Sequence, residues 1–302
     1  PCRYLKRWAQ DSYVHKRPLR RMTKSKTYNI CIIQPQGYIH SLAFLELAEL
    51  LMFSMRDLGH EAVVRKNQLG ADGINIIIGA HLLDPKVQGD IPANTIILNT
   101  EQLGGVYTAW RDRLGVWFET GIGLWDYSPA NIDVIRDMGV ENVKLLNIGY
   151  QPELKRIPED VEQDVDVLFY GSINERRKVV LQELVDRGIK LKVLSGVYGT
   201  ERDKWVARSK VILNHHFYES QIFEIVRVFY LLTNAKPVVA EINDETVVDQ
   251  RFRDGVVGVP YSQLVDTVCD LVKDQARLNE QGKKAFESIL KYPQTSFTRK
   301  IL

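Results

Sequence analysis

The strongest constraint on the fold is an alternation of short apolar strands and helices that occurs twice along the chain. The first series begins with a buried strand predicted at Tyr28–Gln34 and closes near Val143–Leu146. The second begins at Asp166–Tyr170 and continues to a helix predicted over Leu278–Leu290. Such alternation is typical of a parallel sheet covered by helices. The pattern predicts an α/β protein with two Rossmann-like, doubly wound domains that face a cleft.

The two series are separated by a polar, acidic segment with two prolines, residues 151–165, which is predicted to be an interdomain linker. A basic arm over 1–27 precedes the first domain, predicted over 28–150, and the second domain is predicted over 166–302. The arm holds nine Lys and Arg residues against one acid. It is interpreted either as a solvated arm or linker, or as a contact for anionic lipid.

Composition narrows the class of protein. The formal charge of +2 argues against a dedicated nucleic-acid binder. No apolar run approaches the roughly 20 residues of a membrane span, and no signal peptide is recognised at the N-terminus. The three cysteines are scattered, which is typical of a reducing compartment. We therefore expect a cytoplasmic protein, with membrane association through the basic arm as an open alternative.

Several common chemistries lack their sequence signatures. No Gly-x-Gly-x-x-Gly follows the first strand, no Gly-Lys-Ser/Thr phosphate loop occurs, and the nucleophile elbow Gly-x-Ser-x-Gly is missing. His215-His216 has no spaced partner of the kind that metal sites show, and Asp164-Val165-Asp166 is interpreted as linker and strand. Neither a metal nor a bound cofactor is expected.

Polar residues and glycines gather where the predicted strands end, which is where ligands bind in such sheets. In both halves these positions are Gly37 to His40, Gly79 to His81, Asn99 to Gln102, Gly171-Ser172, Asn214 to Tyr218, and Glu241. A glycine after a strand lets the backbone approach a phosphate, and the next helix offers its N-terminal amides. Arg176, Arg177 or Lys178 could add charge there, or could face water.

An acid and an arginine interrupt the apolar run after the strand Lys210–Leu213. Glu224 and Arg227 are three residues apart in a helix predicted over Ile222–Leu232, so they would share one face. They could form a structural ion pair. Alternatively, the two side chains would face a ligand, with Glu224 on its hydroxyl groups and Arg227 on its phosphates.

The first half offers fewer specific signals. Gly37 is a candidate for close approach to phosphate. His40 and His81 are candidates for a base or for hydrogen bonds to a bound ligand, and each could equally be structural. Glu101 could be an acceptor base or a loop cap.

The second half resembles the donor-binding domain of the glycosyltransferase group 1 superfamily, which has the GT-B fold. The resemblance rests on a branch motif, Asn-x-His-x-Tyr, then Glu-x-x-Arg, then Glu, at Asn214, His216, Tyr218, Glu224, Arg227 and Glu241. Asp166–Ser172 with Glu175–Lys178 is similar to the strand, glycine turn and basic pair that open that domain. Two glutamates of better-known members are replaced by Ile222 and Tyr230. The retaining stereochemistry usual in that group therefore does not follow from the resemblance.

The resemblance implies a metal-independent glycosyltransferase that moves a sugar from a nucleotide-diphosphate sugar to a glycan, lipid-linked or protein acceptor. The alternatives are a GT-B nucleotide-sugar epimerase, a non-catalytic nucleotide- or sugar-binding module, and an adaptor for anionic surfaces. Catalytic candidates are His40, His81, Glu224 and Arg227. On this resemblance, Glu224 would hold sugar or ribose hydroxyls and Arg227 the diphosphate. His40 or His81 would contact the transferred sugar or the acceptor, or serve as a base. Donor-binding candidates are Gly37, Gly171, Ser172, Arg177, Lys178, Asn214, His216, Tyr218 and Glu241.

Overall fold

The computed structural model describes residues 25–104, 109–217 and 222–302, which form two parallel β-sheets. The strands of the first sheet are β1 (Thr27–Ile32), β2 (Glu61–Lys66), β3 (Ile74–Ile78), β4 (Thr95–Asn99), β5 (Gly123–Asp126) and β6 (Val143–Leu145). They lie in the order β2-β1-β3-β4-β5-β6. The strands of the second sheet are β7 (Val165–Tyr170), β8 (Leu191–Leu194), β9 (Ser209–Asn214), β10 (Val238–Glu241) and β11 (Val257–Val259). Their order is β11-β10-β9-β7-β8.

Helices connect the strands. They are α1 (Leu45–Asp57), α2 (Ala109–Phe118), α3 (Pro129–Asp137), α4 (Glu175–Asp186), α5 (Gly199–Ala207), α6 (Ile225–Thr233), α7 (Gln250–Arg253), α8 (Leu264–Leu271), α9 (Gln275–Leu290) and α10 (Gln294–Ile301). Short 3-10 helices occur at Ile39–Phe44, Ala80–Leu82, Pro85–Asp90, Pro152–Leu154 and Tyr261–Gln263.

Both faces of each sheet are buried. Successive side chains of a strand point to opposite faces, so neighbouring residues belong to different clusters. In β1, Ile30 and Ile32 belong to a hydrophobic cluster that also contains Phe229 of the second half. Cys31 and Ile33 belong to a different cluster, on the other face of the first sheet. Each such fully buried aliphatic side chain contributes about 1.5–3 kcal/mol relative to an exposed one. The first cluster spans both halves, so apolar packing holds them together.

The last helix returns to the first half. The α10 residue Thr298 places its hydroxyl 2.8 Å from that of Ser54 in α1. The Gly149 N–H donates to the side-chain oxygen of Gln294 at 2.7 Å. The prediction over 166–302 assigned this segment to the second domain, whereas these contacts lie with the first half. Its 3.6-residue pattern was missed because the helix is only two turns long.

The predicted α/β class with two parallel sheets is confirmed. The helix predicted from Ile222 begins later, at Ile225, because Ile222 instead forms a β-bridge with Val247. Glu224 therefore precedes the first helical turn. Its carbonyl accepts from the Arg227 N–H at 3.0 Å, so the two residues stay adjacent in space.

Candidate functional site

A cavity of about 690 Å³ lies between the two sheets and is lined by both halves. Many of its walls come from positions that directly follow a strand. Glu101 follows β4, Tyr127 follows β5 and Gly171 follows β7. This is where parallel α/β sheets bind ligands. The carboxyl ends of the strands in both halves therefore converge on one site.

Two arginines meet at Gly171. The backbone there has a φ of 143°, and a Cβ added to Gly171 would lie 3.1 Å from Nη2 of Arg227 and 3.3 Å from Nη1 of Arg177. Any side chain at Gly171 would therefore displace the guanidinium groups, in addition to the strain of the positive φ. Glycine allows both cations to approach the backbone at the edge of the cavity.

Neither arginine forms an ion pair with a carboxylate of the described ranges. Arg177 is almost fully buried, and its guanidinium donates to the carbonyls of Ser172, at 2.7 Å, and His215, at 3.0 Å. Arg227 donates to the Asn214 side chain at 3.2 Å and lies over the Tyr170 ring at 5.1 Å. Burial, and then the neighbouring Arg227, lower the pKa of Arg177 to about 9. Two cations that converge without a carboxylate ion-pair partner in the described part of the chain are suited to an anion.

A carboxylate stands beside this pair. Glu224 lines the cavity and accepts hydrogen bonds from Asn214 at 2.9 Å and from Nδ1 of His216 at 2.9 Å. Burial disfavours its charge, but His216 and Arg227 outweigh that effect and lower the pKa of Glu224 to about 2. Burial also disfavours a charge on His216, yet Glu224 raises the pKa of that imidazole. Glu224 is therefore an ionised acceptor for hydroxyl groups in the cavity.

Glu241 is placed differently from the prediction. It is fully buried and does not line the cavity. Both of its oxygens bind the guanidinium of Arg176, and it also accepts from the His216 N–H at 3.1 Å and from Asn243 at 2.9 Å. Arg176 in turn lies over the Tyr261 ring, 4.2 Å from its centroid. These contacts make Glu241 a support for the loop after β9 rather than a wall of the cavity.

Two further donor-side candidates, Gly37 and Lys178, are not brought to the cavity. Gly37 is an exposed turn residue with a φ of 76°. The Lys178 side chain is 66% exposed and pairs with Glu175 at 3.8 Å. It points away because successive helical residues are rotated by about 100°, so that Arg177 and Lys178 face opposite environments. Tyr218 lies outside the described residues.

The two candidate histidines have different surroundings. His40 lines the cavity, and its Nδ1 lies 2.7 Å from the Tyr198 hydroxyl of the second half. His81 is buried behind the cavity wall, with its ring 4.8 Å from that of Trp110 and its Nε2 3.5 Å from Oε1 of Glu101. Burial, and then Arg113, lower the pKa of His81 to about 4, so this imidazole is neutral near pH 7.

Sequence reasoning missed a buried charge network beside the cavity. Arg202 of α5 binds Glu46 of α1 at 2.8 Å and its neighbour Asp203 at 2.7 Å. The Tyr230 hydroxyl donates to Asp203 at 2.7 Å, and Arg156 approaches Glu46 at 3.8 Å. An acid inside the apolar pattern of α1 was the available signal, the same one that marks Glu224. Its partner, 156 residues away, could not be found from the chain alone.

Within residues 25–104, 109–217 and 222–302, no group of three or more His, Cys, Asp or Glu side chains is arranged to hold a metal ion. No helix there has both the length and the apolar character that crossing a membrane requires.

No known family model matches the chain. Uncharacterized protein L140 of Acanthamoeba polyphaga mimivirus is 28% identical over 191 residues, which are 60% of this chain and 60% of that protein. Uncharacterized protein L137 of the same virus is 28% identical over 198 residues, which are 63% of this chain and 26% of that protein. The matched region thus spans less than two thirds of either relative.

Solved structures share the architecture at low sequence identity. Anabaena HepE (Alr3699) in complex with UDP-glucose has a TM-score of 0.59 at 11% identity, over 91% of this chain and 98% of that one. Sucrose-phosphate synthase of Thermosynechococcus elongatus has a TM-score of 0.56 at 10% identity, over 90% and 97%. A glycosyltransferase of Rickettsia africae has a TM-score of 0.54 at 10% identity, over 92% and 97%. The chain therefore has the GT-B fold.

Proposed function

We propose that this protein is a glycosyltransferase that takes a sugar from a nucleotide-diphosphate sugar bound in the cavity between its two sheets. The observation that carries the proposal is the convergence of Arg177 and Arg227 at Gly171. Arg177 is buried and Arg227 is half-buried, and neither has a carboxylate ion-pair partner within the described ranges. Such a pair of cations suits a ligand with adjacent negative charges. A diphosphate is such a ligand.

The chemistry of glycosyl transfer requires charge at this place. When the bond between C1 of the sugar and the diphosphate breaks, negative charge grows on the leaving oxygen. The guanidinium groups of Arg177 and Arg227 would stabilise that charge, and both are already held in place by protein contacts. Because the arginines can fill this role themselves, we propose that transfer does not depend on a metal ion.

Glu224 would bind the sugar or ribose of the donor. Its carboxylate lines the cavity beside Arg227 and remains ionised, because His216 and Asn214 hydrogen-bond its two oxygens. Ionised carboxylates with free acceptor positions bind vicinal hydroxyls well. HepE, which shares the fold, was crystallised with UDP-glucose, so UDP and its sugars are the first donors to test.

The acceptor that we propose is a hydroxyl group of a glycan, a lipid-linked glycan or a protein. Contact with an anionic lipid surface through residues 1–27 belongs to the same proposal and rests on the sequence, since residues 1–24 lie outside the described ones. Salt-sensitive binding to vesicles that contain phosphatidylserine, lost on deletion of residues 1–24, would support it. Equal binding of the truncated protein would contradict it.

Calorimetry with UDP, ADP, GDP and CDP, followed by the sugars of whichever base binds, tests the central claim. We expect one nucleoside diphosphate to bind and its sugar to be consumed, slowly with water and faster with an acceptor. Binding without any turnover would favour the non-catalytic module. Conversion of the free donor to its epimer would favour the epimerase. No binding by any of the four would overturn the proposal.

A further inference from the structure

We propose that Glu101 is the general base that removes the proton from the acceptor hydroxyl, so that the sugar is transferred with inversion at C1. The inference rests on the proposed function and adds a residue of the first half to it. Glu101 lines the cavity from the first half, whereas the arginine pair lines it from the second half. A group there can reach a nucleophile that attacks the donor from the side away from its diphosphate.

Among the described residues of the first half, the carboxylates of Glu46 and Glu101 line the cavity, and their partners differ. Glu46 is held by Arg202 at 2.8 Å and approached by Arg156 at 3.8 Å, so these cations keep it ionised and occupied. Among residues 25–104, 109–217 and 222–302, no Lys or Arg side chain lies within 4 Å of the Glu101 carboxylate. His81 does lie within that distance, but its imidazole is neutral near pH 7. Its carboxylate can therefore exchange a proton with a bound ligand.

The backbone of Glu101 is fixed by two buried amides. The Glu101 N–H donates to Asn99 at 3.1 Å, and the Glu101 carbonyl accepts from Asn99 and from Asn131, each at 2.9 Å. Asn99 and Asn131 are themselves bound by the buried carboxyl of Asp126. A cavity-lining residue whose backbone has such a support is pre-organised, as acid–base catalysis requires.

The surroundings also set the proton affinity of Glu101. Tyr127 lines the cavity near it, and Trp110 lies beyond His81 on the same wall. Burial raises the pKa of Glu101 to about 7. The titratable groups around it are His81, Tyr38, Tyr127 and Asp126, with Arg113 next to His81 and Glu224 facing Tyr127. A base with a pKa near the working pH transfers protons efficiently.

The step is a single displacement. The Glu101 carboxylate accepts the proton of the acceptor O–H while that oxygen forms a bond to C1 of the sugar. The bond from C1 to the diphosphate oxygen breaks, and its electron pair leaves with the nucleoside diphosphate, whose charge Arg177 and Arg227 stabilise. Glu101 then returns the proton to water. One bond forms at C1 and one breaks on the opposite face, so the anomeric configuration inverts.

The test uses water as the acceptor, since water needs no prior identification of the natural one. The donor found by the calorimetric screen is incubated with the intact chain, and proton NMR identifies the first anomer of the sugar released, before mutarotation. We expect the anomer opposite to that of the donor. In Glu101→Gln we expect hydrolysis to fall by about a hundred-fold to ten-thousand-fold, with the affinity for the nucleoside diphosphate unchanged.

Two further variants give the comparison its controls. Glu119→Gln changes an exposed glutamate of the same half and should leave hydrolysis unchanged. Glu101→Asp keeps a carboxylate and should retain part of the activity. Its kcat/KM should still rise with pH, with a midpoint that can differ from pH 7, whereas Glu101→Gln should lose the rise. A merely structural Glu101 would not produce this difference in pH profile.

The outcomes separate the two proposals. Release of the sugar with the donor's configuration, or Glu101→Gln activity within two-fold of Glu119→Gln, would overturn the role of Glu101 while leaving glycosyl transfer intact. Absence of donor binding and hydrolysis in the unmodified protein would instead overturn the proposed function itself.

Discussion

Nδ1 of His40 lies 2.7 Å from the hydroxyl of Tyr198, and this contact joins the two halves at the cavity. Beside it, Ile39 packs against Gly196, where an added Cβ would come within 2.8 Å of Cδ1 of Ile39. The arginines that we assign to the diphosphate belong to the second half, whereas Glu101 belongs to the first. The contact between the halves therefore determines whether both groups face one ligand.

Gly196→Val should separate binding from turnover. The new side chain would displace the Ile39 side chain and occupy space beside the cavity that Gly196 lines, which disturbs the contact between the halves. Arg177 and Arg227 would keep their own contacts. We expect nucleoside diphosphate affinity within a few-fold of normal and donor hydrolysis at least ten-fold lower. Calorimetry and NMR measure the two quantities.

Gly139→Val is the matched control for this change. Gly139 has a similar positive φ of 86°, but nothing lies within 4 Å of its added Cβ. It shares the backbone strain without the contact between the halves. An equal loss of hydrolysis in both variants would mean that strain, rather than separation of the halves, is responsible.

Arg227→Gln should weaken the binding of the nucleoside diphosphate. Charge-assisted hydrogen bonds contribute about 1.5–3 kcal/mol, so a ten-fold to hundred-fold increase in Kd is expected. Lys178→Gln removes the same charge from an exposed position and should change Kd by less than two-fold. Calorimetry on both variants checks the prediction, and equal effects would point to general electrostatic attraction instead of direct contact.

The sequence was sufficient to predict both sheets, because apolar strands such as Ile74–Ile78 are recognisable without their partners. It also pointed to the strand ends, where Gly171 and Glu101 now line one cavity. The directions of individual side chains were less accessible. Whether Arg177 or the adjacent Lys178 faces the interior depends on where α4 packs, and that packing involves residues distant in sequence.

Helix ends were harder to predict for a related reason. The run from Ile222 has helical apolar spacing, but the bridge between Ile222 and Val247 delays the helix to Ile225. The formation of α2 is a different case: it has apolar residues at helical spacing, but Gly115 inside it lowers the intrinsic helix propensity of the segment. In both cases tertiary contacts decide what the local pattern leaves open.

Glu46→Gln should be strongly destabilising. It would leave the buried Arg202 guanidinium with Asp203 as its remaining carboxylate partner, and loss of one partner of a buried pair costs about 3–5 kcal/mol. Glu49→Gln is the control. Glu49 lies on the same helix as Glu46 but pairs with the partly exposed Arg156, so its substitution should cost less than about 1 kcal/mol. Urea unfolding of both variants measures the difference. Similar values would show that the network around Arg202 is not an important source of stability.

The protonation of Glu101 can also be tested without any ligand. Its pKa is raised by burial from an ordinary 4.5 to about 7 in the folded protein. Between those values the native state binds a proton that the unfolded state does not, so the free energy of unfolding must fall as the pH rises. Glu101→Gln has no such proton. The stability of the unmodified protein relative to Glu101→Gln should therefore decline between about pH 4.5 and 7, by about 1–3 kcal/mol in total, and should change little above that window.

Urea unfolding at several pH values provides the measurement, with Glu119→Gln as a variant that should follow the unmodified protein throughout. A constant difference from Glu101→Gln across the window would mean that Glu101 is already ionised below neutral pH. In that case it would lack the proton affinity that we assign to the base.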